Sequence, residues 1–535
     1  MKALFRLFKL IAPLTGIMLA AIGLGVLGQL TVIGLPVIAI SGILKGLNGL
    51  SNYIWPILIC GFLRGPLHYG EHYCNHLIAF KMLALLRQKV FVALRRLSPA
   101  ILENKAKGDL ISLVTSDIEM LELFYAHTIS PIAIATIVSV IAAGYLAWLS
   151  PLIGLWALLG YLLIGLIIPL ISHRIMDKKG LQVRNQLGHL SSYVLDSLYG
   201  LTELLQFKAM DKRLKSLTKQ TNDLNQTQRQ ISFDTGLQNA TIYLVVFGFS
   251  LGTLLIANSL HLMASTIIIA TVTVLSSFGP VIALSSLTAG LSQTIGAAQR
   301  LIDLIDEEPV VYDVLEGQKP TFNQAQLANV TFTYPETTKP VLKGLNLTIP
   351  KHQIIGIHAP SGSGKSTILK LLAHFYDPDT GQVLIDQTNL KDVNTNYLRQ
   401  IESYVSQETW LFQDTIENNL KLGNQNASPQ EVQAAAEAAG IANYIDSLPA
   451  QYQTKLSELA DSLSEGQRQR LGIARAFLHQ GELLLLDEVT ANLDVLNEAI
   501  ILKALKKVAK EKTVVIVSHR LSTLSIADQI FELAN

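Results

Sequence analysis

The sequence predicts a multi-domain chain: an all-α, six-helix membrane domain followed by an α/β domain. Three observations predict it. Half of the residues are hydrophobic and only 16% are charged, against about 25% charged in a typical soluble domain. The long uncharged stretches all lie before residue 300. Beyond residue 320, short β-branched runs alternate with helical stretches, the pattern of a largely parallel sheet. A chain of 535 residues is also too long for one hydrophobic core.

The membrane elements come first. Lys2, Arg6 and Lys9 precede an apolar run that continues from Leu10 beyond Ile40. That run outlasts the apolar core of a signal peptide and reads as a first transmembrane helix near 10–40. Further spans are expected near 53–75, 129–149, 152–172, 238–258 and 263–288, each long enough for about 30 Å of hydrocarbon. Ser150-Pro151 marks a tight turn between the third and fourth spans, and Asn258 to His261 a turn between the last two. The two long intervening segments carry Lys81, Arg87, Lys89, Arg95 and Arg96 in one, and Arg174, Lys178, Lys179, Arg184, Lys212 and Arg213 in the other. The positive-inside rule places both segments and the N-terminus in the cytoplasm of a multi-pass cell-membrane protein. Both segments read as helices extended beyond the bilayer. The expected division is a membrane domain over 1–300, a linker over 301–319 and an α/β domain over 320–535.

Composition also excludes some classes. The net charge of +1 provides no basic field, so no nucleic-acid partner is expected. Cys60 and Cys74 are the only cysteines. On one helix they stand about 21 Å apart, too far for a disulfide.

The α/β domain carries the chemistry. Residues 354–367 read IIGIHAPSGSGKST, a strand, a Gly-rich loop and a helix start. Such a loop turns backbone N–H groups toward phosphate oxygens at a helix N-terminus. Ser361, Gly362, Ser363, Gly364, Lys365, Ser366 and Thr367 form the expected ATP-binding set. Lys365 is expected on the β- and γ-phosphates and the Ser366 hydroxyl on Mg²⁺. Ala359 stands where the strict P-loop pattern has glycine. Residues 483–488 read LLLLDE, an apolar strand ending in two carboxylates. Asp487 fits a Mg²⁺-holding role and Glu488 a general base that polarises the attacking water.

Residues 463–467 read LSEGQ. Here the chain resembles the ABC transporter family, whose signature is LSGGQ. The resemblance extends in order through residues 330–520. It implies that Tyr334 stacks on adenine and that Gln407, in YVSQETWLF, senses Mg²⁺ and the γ-phosphate. It also implies that Asp494, in Asn492-Leu493-Asp494, belongs to the D-loop, and that His519, in VIVSHR, contacts the γ-phosphate. Ser464, Gly466 and Gln467 then form an anion site that closes on ATP held by an opposite subunit. Glu465 replaces a glycine there and places a carboxylate near that surface. Only sixteen residues follow His519, so the ATPase domain is expected to be short at its C-terminus.

The six spans with two cytoplasmic extensions resemble the exporter-type (type IV) fold of that family. Gly108 to Ser112 with Ser116 and Asp117 looks like the first coupling-helix region. Span two contains RGPLHYGEHYCNH. His68, His72 and His76 recur every four residues and so fall on one helix face. Polar side chains at membrane depth are costly and usually functional. Three imidazoles on one face suit haem iron or another metal, or a polar seam facing a cavity. This segment, LFYAHTISPIAIA and QTIGAAQRLIDL resemble the CydC-type subunit of the CydDC exporters. That resemblance implies a heterodimer with a CydD-like half-transporter, cytochrome bd assembly, and export of thiol reductants (cysteine or glutathione) or handling of haem. It makes His76, then His72, candidate haem-iron ligands. The alternative is a drug or lipid half-exporter acting as a homodimer. A soluble ABC ATPase acting on DNA or ribosomes is excluded by the spans; an ATP-gated regulator without transport is not.

Overall fold

The structure is a computed structural model. It describes residues 12–533, apart from 46, 106, 286–287, 336, 361, 458–459, 461 and 492. The chain forms two compact units. One comprises residues 1–95 and 105–307; the other comprises 96–104 and 308–535.

The first unit is helical. Among its longer helices, α1 spans Thr15–Leu44, α2 Leu47–Leu97, α3 Ile118–His127, α4 Ile129–Leu149 and α5 Pro151–Leu162. After these, α6 spans Ile168–Tyr199, α7 Met210–Ser259, α8 Ala264–Ser277 and α9 Thr288–Asp306. Among the described residues, five helical stretches are long and apolar enough to cross a membrane: 12–44, 108–149, 151–172, 210–259 and 264–285. The expected span 53–75 falls inside α2 but is not among them. Its polar stripe, Arg64, His68, Glu71, His72 and His76, dilutes the apolar run. The last span is broken: α8 ends at Ser277, and a separate short helix covers Gly279–Ser285.

Close packing in this unit relies on small residues and a few polar bonds, as expected where lipid removes the hydrophobic drive between helices. A Cβ on Gly154 would lie 2.5–2.7 Å from Ala147, so only glycine lets α4 and α5 meet beside the Ser150-Pro151 turn. The Trp156 indole donates to the Phe249 carbonyl at 3.0 Å. Tyr161 and Ser277 share a 2.5 Å hydroxyl bond. Residues 113–117 and 163–167 are single π-helical turns, a form that often marks functional positions. The first ends at Asp117, which is fully buried and paired with Arg300 at 2.5 Å and Arg184 at 3.7 Å. Helix α9 runs through the first six residues of the expected 301–319 linker, with Leu301, Ile302 and Leu304 buried.

The second unit is α/β. Strand β1 spans Gln324–Phe332, β2 Leu342–Pro350, β3 Ile354–His358, β4 Thr380–Ile385, β5 Thr388–Asn389 and β6 Glu402–Val405. Then come β7 Leu483–Asp487, β8 Thr513–Ser518 and β9 Gln529–Glu532. Its longer helices are α10 Lys365–Leu372, α11 Pro429–Ala438, α12 Glu465–Leu478 and α13 Val495–Val508. A five-stranded parallel sheet has the order β6-β7-β8-β3-β9, and a four-stranded antiparallel sheet has the order β2-β1-β4-β5. Residues 483–486 and 514–517 are buried throughout, as strands covered on both faces require.

The short segment 96–104 belongs to this unit, upstream of the 108–117 region expected to couple. Ala100 is buried in its core, the Ala100 carbonyl accepts from the Tyr376 hydroxyl at 3.1 Å, and Glu103 pairs with Lys370 at 2.6 Å.

Candidate active site

Parallel strands place their C-terminal ends along one edge, where ligands of open α/β sheets bind. In the order β6-β7-β8-β3 that edge gathers four segments: the loop carrying Gln407, the Asp487-Glu488 pair, His519, and the Gly-rich loop.

The Gly-rich loop depends on left-handed backbone. Gly364, at φ +96°, is the N-cap of α10, and a Cβ there would meet Val341 at 2.7 Å. Gly362 has φ +80°. Only glycine adopts such values without strain. The Lys365 ammonium is buried and donates to the carbonyls of Ala359 at 3.0 Å and Pro360 at 2.9 Å. It also stands 3.7 Å from Glu488 Oε1. Ser363 donates back to the Pro360 carbonyl at 2.7 Å. Ser361 lies outside the described residues.

Ser366 Oγ donates to Asp487 Oδ1 at 2.9 Å. Hydroxyl and carboxylate oxygens side by side are the hard donors that Mg²⁺ prefers. Burial pushes the Asp487 carboxyl above its usual range, against the bonds it accepts from Ser366 and Tyr404. A bound cation reverses that balance by favouring the carboxylate. Glu488 has φ +49°, an uncommon value for a glutamate. It directs its carboxylate between Lys365 and His519, whose Nδ1 is 3.5 Å away.

Other expected residues are placed differently. The Thr367 hydroxyl is buried against the Tyr334 hydroxyl at 2.9 Å, so it braces that tyrosine instead of facing the loop. The Tyr334 ring packs edge-on against Phe332 and Tyr376, with the Lys370 ammonium 5.9 Å from its centre. Gln407 is exposed and lines a recess with Trp410, Glu465 and Gln469, while the Ser366–Asp487 pair forms without it. Ser464 caps α12: its hydroxyl accepts from the Gln467 N–H at 3.3 Å, and the Gln467 side chain accepts from the Ser464 N–H at 2.8 Å. Glu465 and Gly466 occupy the first turn, where a carboxylate complements the helix dipole. Asp494 caps α13 by accepting from the Asn497 N–H at 2.8 Å and its side-chain amide at 2.6 Å. Those bonds hold the Asp494 carboxyl below the usual range.

Two participants escape a reading of motifs. The Tyr404 hydroxyl donates to Asp487 Oδ2 at 3.2 Å, so both carboxylate oxygens are held. Gln469, buried in α12, donates to the Glu488 carbonyl at 3.3 Å and ties that helix to the backbone of Glu488. Strand register was the missing signal for Tyr404. It pairs with Leu485, and alternation then puts it on the face of Asp487, two residues on.

Comparison with known proteins agrees with this geometry. Residues 14–285 match the family described as ABC transporter transmembrane region, and residues 342–491 match ABC transporter. A Haemophilus influenzae protein described as "Probable ABC transporter ATP-binding/permease protein" is 41% identical over 540 residues, 99% of this chain and 98% of that protein. An ATP-dependent lipid A-core flippase of Nitrosococcus oceani is 32% identical over 494 residues, 90% of this chain and 81% of the relative. The solved structure of a bacterial Atm1-family ABC exporter with ATP bound matches with a TM-score of 0.82 at 26% identity, covering 98% of this chain and 94% of that one. The chain therefore belongs to the ABC transporter family, as a multi-pass half-exporter in which a helical membrane domain precedes an ATP-hydrolysing α/β domain.

Proposed function

We propose that the chain binds MgATP at the edge of its parallel sheet and completes the site only with a second subunit. The observation that carries this is the gathering of Lys365, Ser366, Asp487, Glu488 and His519 around one point. Lys365 exchanges loop carbonyls for phosphate oxygens. Ser366 and Asp487 hold Mg²⁺, which neutralises charge on the transferring phosphate. Glu488 takes the proton of the attacking water, and His519 holds Glu488 and the γ-phosphate in register. The capped N-terminus of α12 offers Ser464 and the positive end of the helix dipole to the ATP of the opposite subunit. The ATPase domain and N-terminus face the cytoplasm, on the side of the Lys- and Arg-rich segments.

For cargo, the reading with most support is an amphipathic lipid or drug moved by two copies of this chain. Lipid A-core flippases match about nine-tenths of the chain. A second reading, the CydC-type heterodimer that exports cysteine, glutathione or haem, is favoured by the stripe His68, His72 and His76. The purified chain alone in lipid nanodiscs separates them. Cooperative ATPase stimulated by lipid A supports the homodimer. Activity that appears only with a second half-transporter and responds to thiols supports the heterodimer.

A further inference from the structure

Three imidazoles from two helices meet in the membrane unit. His72 and His76 lie one turn apart on α2 with ring centres 4.4 Å apart. His127, the last residue of α3, brings its ring to 5.4 Å from His76 and 6.4 Å from His72. Glu122, also on α3, places Oε1 3.3 Å from His76 Nδ1. His68 stands at the margin, its ring 6.2 Å from His72 and its Nδ1 3.4 Å from Glu71. His127 is 51 residues from His76 in sequence, so helical spacing could not reveal it.

We propose that His72, His76 and His127 bind one divalent transition-metal ion of the zinc class, with Glu122 orienting His76. Imidazole donors beside a carboxylate select zinc, cobalt or nickel over magnesium or calcium. Nitrogens at about 2.0–2.1 Å around a tetrahedral ion put imidazole centres about 5 Å apart. The three observed separations bracket that value. Among the described residues no three donors are already gathered to hold an ion. Binding therefore needs the rings to turn, and the imidazole χ2 torsion is broad enough to allow it. The Glu122 contact is the arrangement that metal-ligating histidines use: one ring nitrogen donates to a carboxylate and the other is left for the metal. Three protein ligands leave a fourth position open for water or cargo. The site is accessible, with the His76 and Glu122 side chains 28% and 33% exposed.

The same crowding disfavours a porphyrin. An axial imidazole must clear a disc about 5 Å in radius around its iron. Glu122 and His127 stand close beside His76, and Phe80 flanks it at 5.9 Å.

The test uses the full-length, metal-stripped chain in nanodiscs, with Co²⁺ as the probe. One equivalent should bind, show the visible absorption of tetrahedral cobalt, and be displaced by Zn²⁺. His127→Ala and His76→Ala should abolish that spectrum. Glu122→Gln should weaken binding about 10–100-fold, and His68→Ala should leave it unchanged. A melting temperature in the nanodisc equal to that of the unaltered chain reports that the membrane unit of each variant is folded. Unchanged cobalt binding in folded His127→Ala overturns the proposal. So does a stoichiometric Soret band with haem, lost in His76→Ala, from protein that shows no cobalt spectrum.

Discussion

Glu402 opens β6 with its carboxyl buried; one oxygen meets the Arg399 guanidinium, and Oε2 has no hydrogen-bond partner among the described residues. Burial outweighs the arginine and pushes this carboxyl from 4.5 up to about 7. The folded state therefore binds more protons than the unfolded state between those values, and stability falls as pH rises through that window. Each pH unit costs about 1.4 kcal/mol, about 3 kcal/mol in all once the pH exceeds 7. The Arg399 contact is already part of that balance, so Glu402→Gln, which stands in for the neutral carboxyl, should gain up to about 3 kcal/mol on the wild type between pH 5 and pH 8. In a unit of this size that is roughly 6–12 °C in apparent melting temperature. Scanning fluorimetry of the full chain at pH 5, 6, 7 and 8.5 measures it. The gap between variant and wild type should open from pH 5 to 7 and then level off. A variant that is less stable at pH 8.5 than at pH 5, relative to wild type, would refute the reasoning.

Further outcomes are expected at the ATP site and in the membrane. Lys365→Ala should abolish tight ATP binding, whereas Glu488→Gln should keep binding and lower turnover by more than about a hundredfold; nucleotide binding and phosphate release, measured side by side, separate the two. Tyr404→Phe leaves Asp487 with one bond fewer and should raise the Mg²⁺ concentration needed for half-maximal ATPase about tenfold, a change of about 1.4 kcal/mol. Gly154→Ala forces a methyl against the Ala147 backbone and should destabilise the α4–α5 pair by about 1–3 kcal/mol, read as a lower melting temperature in detergent with ATP affinity intact.

What was legible in the sequence was contiguous. The Gly-rich loop, the Asp487-Glu488 pair and the capping Ser464 each show as a short contiguous motif, so local pattern alone exposes them, although Asp487 and Glu488 find their partners Ser366, Lys365 and His519 far along the chain. Features that depend on distant pairing were not legible. Tyr404 reaches Asp487 only through the β6–β7 register, and His127 reaches His76 only where α2 and α3 meet. Helix α9 continues to Asp306, through the amphipathic start of the expected linker, and the expected span 53–75 is not among the five apolar stretches because its polar stripe interrupts it. Thr367 is expected in the ATP-binding set from its place in the motif; that its hydroxyl meets the Tyr334 hydroxyl depends on a residue 33 positions away and is a tertiary fact.

Segment 96–104 has a consequence for how the protein is made. It is translated before most of the membrane helices, yet it fills the core of a unit whose remaining residues begin at 308. The ATPase unit is thus discontinuous, and residues 105–307 are an insertion within it. On the ribosome, residues 105–307 are synthesised between these nine early residues and the chain that Ala100 and Glu103 pack against. A fragment beginning at 308 lacks that plug, leaving the Tyr376 hydroxyl and Lys370 without these partners.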